Sequence, residues 1–151
     1  MKIHLRQIPQ GDTLHIEGEE SAEPLGLEEA GVFPVSPLEY SLDVGLSDGG
    51  LFATGRLAVR VRMQCVRCLE DFERDIVVDP FATQTELTGS ESIDLTPLAR
   101  EDIHLSLPAH PRCDSNGGPK CPASRDGAPA SDRQPAPPLV SAWDALDKLQ
   151  H

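Results

Sequence analysis

The chain has 151 residues, enough for one domain with a sizeable core, but only 4% of them are aromatic, 14 are prolines and the formal net charge is -12. So acidic a balance makes a poor generic phosphate binder, because nucleic-acid affinity comes from clustered Lys and Arg that release counterions. No apolar run approaches the ~20 residues of a membrane-spanning helix, and Met1-Lys2-Ile3-His4-Leu5-Arg6 leads into polar residues without a signal-peptide core, which points to the cytoplasm.

In chain order, residues 2–8 and 13–17 read as two short strands separated by the turn signal Pro9-Gln10-Gly11. Residues 18–31 read as an acidic loop with one helical turn around Leu27-Glu28-Glu29-Ala30. A strand over 38–46 follows, with Leu38, Tyr40, Leu42 and Val44 on one face, then the turn Ser47-Asp48-Gly49-Gly50. The long strand 51–64 has the plainest pattern: Leu57, Val59, Val61, Met63 and Cys65 alternate with Arg56, Ala58, Arg60, Arg62 and Gln64, the period of two that a half-buried strand requires. A third hairpin strand spans about 72–87 and is interrupted by Pro80, which has no backbone donor and so demands an edge or a bulge.

The next segment is helical. Thr96 suits the cap, Pro97 the first helical position, and Leu95, Leu98, Ala99, Ile103 and Leu107 form an apolar stripe that ends at Pro108, which predicts a helix over 96–107 packed on the sheet. Residues 122–138, rich in Pro, Ala, Ser, Asp and Arg, have the composition of a flexible linker. Over 139–151 a short C-terminal helix is expected, since Ser141 and Asp144 form a capping-box pattern and Trp143, Leu146 and Leu149 share a face. A helix this short is marginal by itself, so it either docks on the sheet or waits for a partner. The predicted fold is α+β: a twisted antiparallel sheet or partly open barrel in one domain over 1–121, with the helix near 96–107 and the short C-terminal helix.

Four cysteines carry the chemistry. Cys65-Val66-Arg67-Cys68 closes the long strand, and Cys113 and Cys121 bracket Asp114-Ser115-Asn116-Gly117-Gly118-Pro119-Lys120, a turn-forming stretch able to fold back around an ion. Two such pairs complete the tetrahedral shell that Zn²⁺ prefers, so Cys65, Cys68, Cys113 and Cys121 are the candidate ligands and Zn²⁺ the candidate cofactor. Three other uses compete: structural disulfides, for which nothing points to an oxidising compartment; a thioredoxin-like redox pair, which needs a strand-to-helix turn where 69–78 reads as a return strand; and four reduced thiols with no shared role. His110 is the nearest substitute donor.

Charge is unevenly spread. Residues 1–50 carry ten acidic residues against Lys2 and Arg6, whereas 51–74 carry Arg56, Arg60, Arg62, Arg67 and Arg74 against Glu70, Asp71 and Glu73. Arg56, Arg60, Arg62 and Arg67 are therefore the candidate contacts for RNA or a partner, against the plainer reading that they form the solvated side of a sheet. The acidic remainder suits a basic protein such as a ribosomal protein. Enzyme chemistry finds no support: Gly117-Gly118 is an isolated pair rather than a phosphate-cradling loop, no serine sits in a nucleophile elbow, and Glu101 and Asp102 point to different faces of their helix. No small-molecule substrate is evident.

The series Cys65-Val66-Arg67-Cys68-Leu69-Glu70, Ile93-Asp94-Leu95, 100–108 ending in Leu107-Pro108, Cys113, Lys120-Cys121-Pro122 and 143–149 resembles the YceD family of bacterial and plastid proteins over most of the chain. The resemblance implies a non-enzymatic role in accumulation of large-subunit (23S) ribosomal RNA and in large-subunit assembly, with a large-subunit ribosomal protein or pre-ribosomal RNA as partner. The chain departs from that pattern at one place: many relatives carry a further cysteine and a glycine where it has Ser124 and Arg125, which leaves Cys113 as the fourth ligand. The alternative function is a thiol-disulfide or redox-responsive protein built on Cys65 and Cys68.

Overall fold

A computed structural model describes residues 1–47, 49–87, 89, 91–115, 118 and 120–123. In chain order the elements are β1 (Lys2–His4), β2 (Thr13–Glu20), β3 (Phe33–Pro34), β4 (Leu38–Ser47), β5 (Gly50–Gln64), β6 (Asp71–Glu86), β7 (Ser92–Asp94) and α1 (Thr96–Leu105), with short 3₁₀ turns at Leu5–Gln7, Glu23–Leu25 and Leu27–Ala30. The main sheet is antiparallel throughout: β2 pairs β4, β4 pairs β5, and β6 lies along the other edge of β5. Beyond the end of β4, β3 takes up the same edge of β5, opposite Val61 and Arg62. β1 and β7 form a separate two-stranded ribbon. The sheet does not close, so the expected α+β architecture takes its open form.

The alternation in β5 organises the core. Leu51, Ala53, Leu57, Val59, Val61 and Met63 all face inward and are at most 2% exposed, against Leu38, Leu42 and Val44 of β4 and Ile76 and Phe81 of β6. Ala99 and Ile103 of α1 and Leu25 and Leu27 of the 3₁₀ turns cover this face. Pro80 sits at a bulge in a strand that, among the described residues, pairs only β5, so it has both of the settings that its missing donor allows. Register runs Gly55 to Phe81 and then Leu57 to Val78, so Asp79 and Pro80 together oppose Arg56. The extra residue reverses the parity of β6: Phe81 points inward on one side of it and Val78 and Ile76 on the other. Gly55 sits at this irregularity with φ 152°, and a Cβ there would lie 2.1 Å from the Ser41 carbonyl oxygen, so the backbones of β4 and β5 approach in a way only glycine permits.

Several boundaries differ from expectation. The first strand stops at His4, because residues 5–7 turn in a 3₁₀ coil, while β2 runs on to Glu20 through the first three residues of the expected acidic loop. That extension is held by pairing with β4, where Glu19 opposes Glu39 and Glu20 opposes Leu38. β3 and β7 are too short to carry an alternation and were not legible as strands. α1 ends at Leu105 rather than 107, with the Ser106 hydroxyl bonded back to the Asp102 carbonyl at 2.9 Å. Its cap is also not Thr96: the Asp94 carboxylate accepts from the Thr96 N–H at 2.9 Å, and the Thr96 hydroxyl instead meets the buried Met1 amino group together with Glu20. The expected linker (apart from Pro122 and Ala123) and the expected C-terminal helix lie outside the described residues.

Candidate metal centre

β5 delivers its last inward side chain at Cys65, and the chain then turns sharply to begin β6 at Asp71. The turn is closed by two backbone bonds, Cys65 N–H to Glu70 O and Leu69 N–H to Cys65 O, both 2.9 Å. Closing it places Leu69 in the left-handed region at φ 62°, and the Gln64 amide donates to the Leu69 carbonyl at 3.0 Å. This geometry turns several N–H groups onto the sulfurs. Donation from the backbones of Cys68, Cys113 and Arg67 stabilises the Cys65 thiolate and pulls its pKa down to about 6.

The second pair arrives on the segment after α1. The Val66 N–H donates to the Pro111 carbonyl at 2.9 Å, docking that segment on the first knuckle. Arg67 reaches across to the Asp114 carboxylate at 3.1 Å, and Arg74 of β6 donates to the Ser115 hydroxyl at 3.2 Å. Ser115 in turn donates to the Arg112 carbonyl at 2.7 Å, which tightens the loop on which Cys113 sits.

As a result Cys65, Cys68, Cys113 and Cys121 bring their four sulfurs within 4.8 Å of one another. Cys65, Cys113 and Cys121 are buried and Cys68 is half-buried. Cys68 and Cys113 sulfurs stand 3.8 Å apart, and none of the four cysteines is in a disulfide. A tetrahedron with metal–sulfur bonds of about 2.3 Å has an edge of about 3.8 Å, so the cluster needs only a small contraction to close on an ion. The donor set fits one: four soft thiols, three of them buried, with no carboxylate or imidazole in the cluster among the described residues. Without a metal the same crowding is unfavourable to charge. Burial and the neighbouring thiols hold the Cys113 thiol well above the ordinary range. At Cys68 the Glu70 N–H works downward, but burial and Cys65 outweigh it and the net shift is upward.

The four sequence-predicted ligands therefore converge, and His110, the substitute donor, is an exposed residue outside the cluster. Ser124 lies outside the described residues. The four arginines do not form one patch. Arg56, Arg60 and Arg62 project from the outer face of β5, while Arg67 is engaged at the cysteine site. Arg60 is clasped by Asp75 through bonds of 2.7 and 3.4 Å, which raises the guanidinium and lowers the carboxyl, and Arg62 stands opposite Glu73. Glu17, Glu39 and Ser41 surround Arg56 in a shallow cleft. This face has mixed charge. Sequence reading missed Asp114, Ser115 and Arg74 as supports of the site; the only hint was that a short polar pair follows Cys113 directly. His104 ties α1 to the 3₁₀ turn Glu23–Leu25, its Nε2 lying 2.8 Å from the Leu25 carbonyl oxygen.

No family model, curated protein or solved structure matches this chain.

Proposed function

We propose that this chain is a non-enzymatic binding protein of the YceD type, stapled by one Zn²⁺ on Cys65, Cys68, Cys113 and Cys121, that supports accumulation of 23S ribosomal RNA and large-subunit assembly in the cytoplasm. The observation that carries this reading is the convergence of four thiols from two segments that lie 45 residues apart at Cys68 and Cys113. A closed, buried, all-thiolate shell is the form of a structural site, since a catalytic zinc keeps a position open for water or substrate. The ion would tie the end of β5 to the segment after α1, and function would lie on the surface so shaped. A net charge of -12 and a sheet face where arginines are interleaved with carboxylates favour a basic large-subunit ribosomal protein as partner over bare pre-ribosomal RNA.

The redox alternative is less well supported. A reactive thiol needs a lowered pKa together with access. Here the lowered thiol is Cys65, which is 0% exposed, whereas the more accessible Cys68 is shifted upward.

Metal analysis of chain purified without chelator tests the staple: about one zinc per chain is expected, lost in Cys68→Ser together with thermal stability. Metal-free protein with a titratable surface thiol would favour the redox alternative instead. The ribosomal role is tested separately, by deleting the gene and measuring large-subunit RNA and co-purifying ribosomal components. Unchanged RNA and an empty co-purification would reject it.

A further inference from the structure

β6 is the outermost strand on its side of the main sheet: among the described residues it pairs only β5, so its other flank is an edge. Which backbone groups face that edge follows from bonds made by β5. The Arg60 carbonyl accepts from the Val35 N–H at 2.9 Å and the Arg60 N–H donates to the Ser36 hydroxyl at 3.0 Å, so the Arg60 backbone is directed to the β3 side, whereas the Cys65 N–H goes to the Glu70 carbonyl on the β6 side. These directions alternate along a strand. The odd-numbered residues 57–63 of β5 therefore bond to Val78, Ile76, Arg74 and Phe72, and the N–H and C=O groups of Asp71, Glu73, Asp75 and Val77 are directed away from the sheet. Among the described residues no other backbone group meets them. An open edge of this length, roughly 20 Å, is a template for a further strand.

The same four residues carry exposed side chains on the outer face of the sheet, and three of them are carboxylates. Glu70 and Asp79 flank them, and the one cation within 70–79, Arg74, is bonded to Ser115. Arg60 and Arg62 answer Asp75 and Glu73 from the β5 side, but the Asp75 side chain is still 57% exposed and Glu73 is exposed as well. Charge selects the occupant. A second copy added antiparallel sets Glu73 opposite Asp75, or Asp75 opposite itself, in the central registers, and like charges directly opposite destabilise a strand pair. Phosphate is repelled by the same carboxylates. A strand with Lys or Arg at alternate positions instead sets each cation opposite a carboxylate while it takes up the backbone bonds of the edge. Val77, 40% exposed, gives the acidic series an apolar end.

We propose that the free edge of β6 docks an extended basic segment of another protein, added as an antiparallel strand that reads apolar, x, basic, x, basic, x, basic against Val77, Asp75, Glu73 and Asp71 in turn. This rests on the function proposed above in taking the partner as basic, and it gives that partner a place on the sheet. One charge pattern then does two things: it keeps copies of the chain apart and admits a cationic strand.

The probe is a fluorescently labelled peptide of alternating lysine and threonine behind an amino-terminal valine, titrated with the full chain and followed by anisotropy. It should saturate at one peptide per chain. A peptide N-methylated on the valine and lysines keeps its charge but cannot bond to the edge, and should bind about tenfold more weakly, whereas methylation of the threonines, whose N–H groups point away, should change little. Val77→Pro removes an outward N–H that β5 does not use, a change that an edge strand tolerates, and Glu73→Lys reverses one charge; each should weaken the unmethylated peptide about tenfold at an unchanged melting temperature. Absence of saturable binding overturns the proposal and leaves the carboxylates as guards against aggregation. Binding indifferent to backbone methylation is charge attraction alone and overturns it too, as does binding that survives both variants. A dimer of the chain that Val77→Pro dissolves would give the edge to a second copy and likewise reject it. Peptide binding alongside ribosomal RNA that gene deletion leaves unchanged removes the ribosomal role and keeps the edge; the converse keeps the role and removes the edge.

Discussion

Asp114 offers no ligand, yet its carboxylate is what Arg67 holds at 3.1 Å to keep the Cys113 loop against the first knuckle. Residues that orient ligands cost about 10–100-fold in metal affinity when removed. Asp114→Ala should accordingly lower zinc affinity by about that factor in chelator competition while the chain remains folded at saturating zinc. Leu69 presents the opposite case. It is 66% exposed, so its side chain buries little, and its left-handed backbone costs an L residue about 1–2 kcal/mol. Leu69→Gly should stabilise the chain by about 0.5–1 kcal/mol in denaturant unfolding, the remainder being lost to glycine's entropy. The Arg60–Asp75 pair, by contrast, is more than half exposed, and such pairs are worth at most about 1 kcal/mol. Its place is solubility and a mixed-charge surface rather than stability.

Among the elements, β6 depends most on a local irregularity. If the strand ran straight through Pro80, either Phe81 or the pair Val78 and Ile76 would turn to solvent; the two-residue bulge against Arg56 lets all three face the core. Phe81 lies at that junction and is 0% exposed. Phe81→Ala should cost about 3–5 kcal/mol, read as a lower denaturant midpoint with the same slope. The need for an edge or a bulge was legible in Pro80 alone, because proline's missing donor leaves few other solutions; the structure has both, a bulge in a strand that pairs only β5 among the described residues. Which residues would oppose each other was not legible, since register is set by the partner strand. The same distinction holds for α1. Its apolar stripe declared the buried face, and Ala99 and Ile103 are indeed in the core, but the cap position falls at Leu95, Asp94 takes the Thr96 N–H, and the Thr96 hydroxyl meets the Met1 amino group, a contact 95 residues away in sequence.

At the scale of the molecule, an ion held by the cysteine cluster would couple folding to metal and to pH. Ligands must lose their protons to bind, and Cys68 and Cys113 hold theirs more tightly than ordinary thiols. Acidification therefore weakens metal binding throughout, and below about pH 6 the Cys65 thiolate also becomes protonated and the loss steepens. The sign for the metal-free fold is the same at Cys65: its pKa is depressed by folding, so the stabilisation it contributes is present in full above the ordinary thiol range and is lost as pH falls through about 6. Chelator competition from mildly alkaline to mildly acid pH should show this steepening, and chelator added at neutral pH should lower the melting temperature.

By itself the sequence determined the strand alternation of β4 and β5, the existence of the return strand β6 with its interruption at Pro80, the apolar face of α1 and the identity of the four cysteines. These follow from side-chain period and from the chemistry of single residues, which neighbours in sequence suffice to express. Only the tertiary structure decided that the sulfurs of two separate segments lie within 4.8 Å of one another, and that Arg67 and Arg74 support the second pair rather than a basic surface. It also decided that Arg60 and Arg62 of β5 face the carboxylates of β6. Those relations span tens of residues, and chain spacing does not encode which distant backbone will close a turn against which strand end.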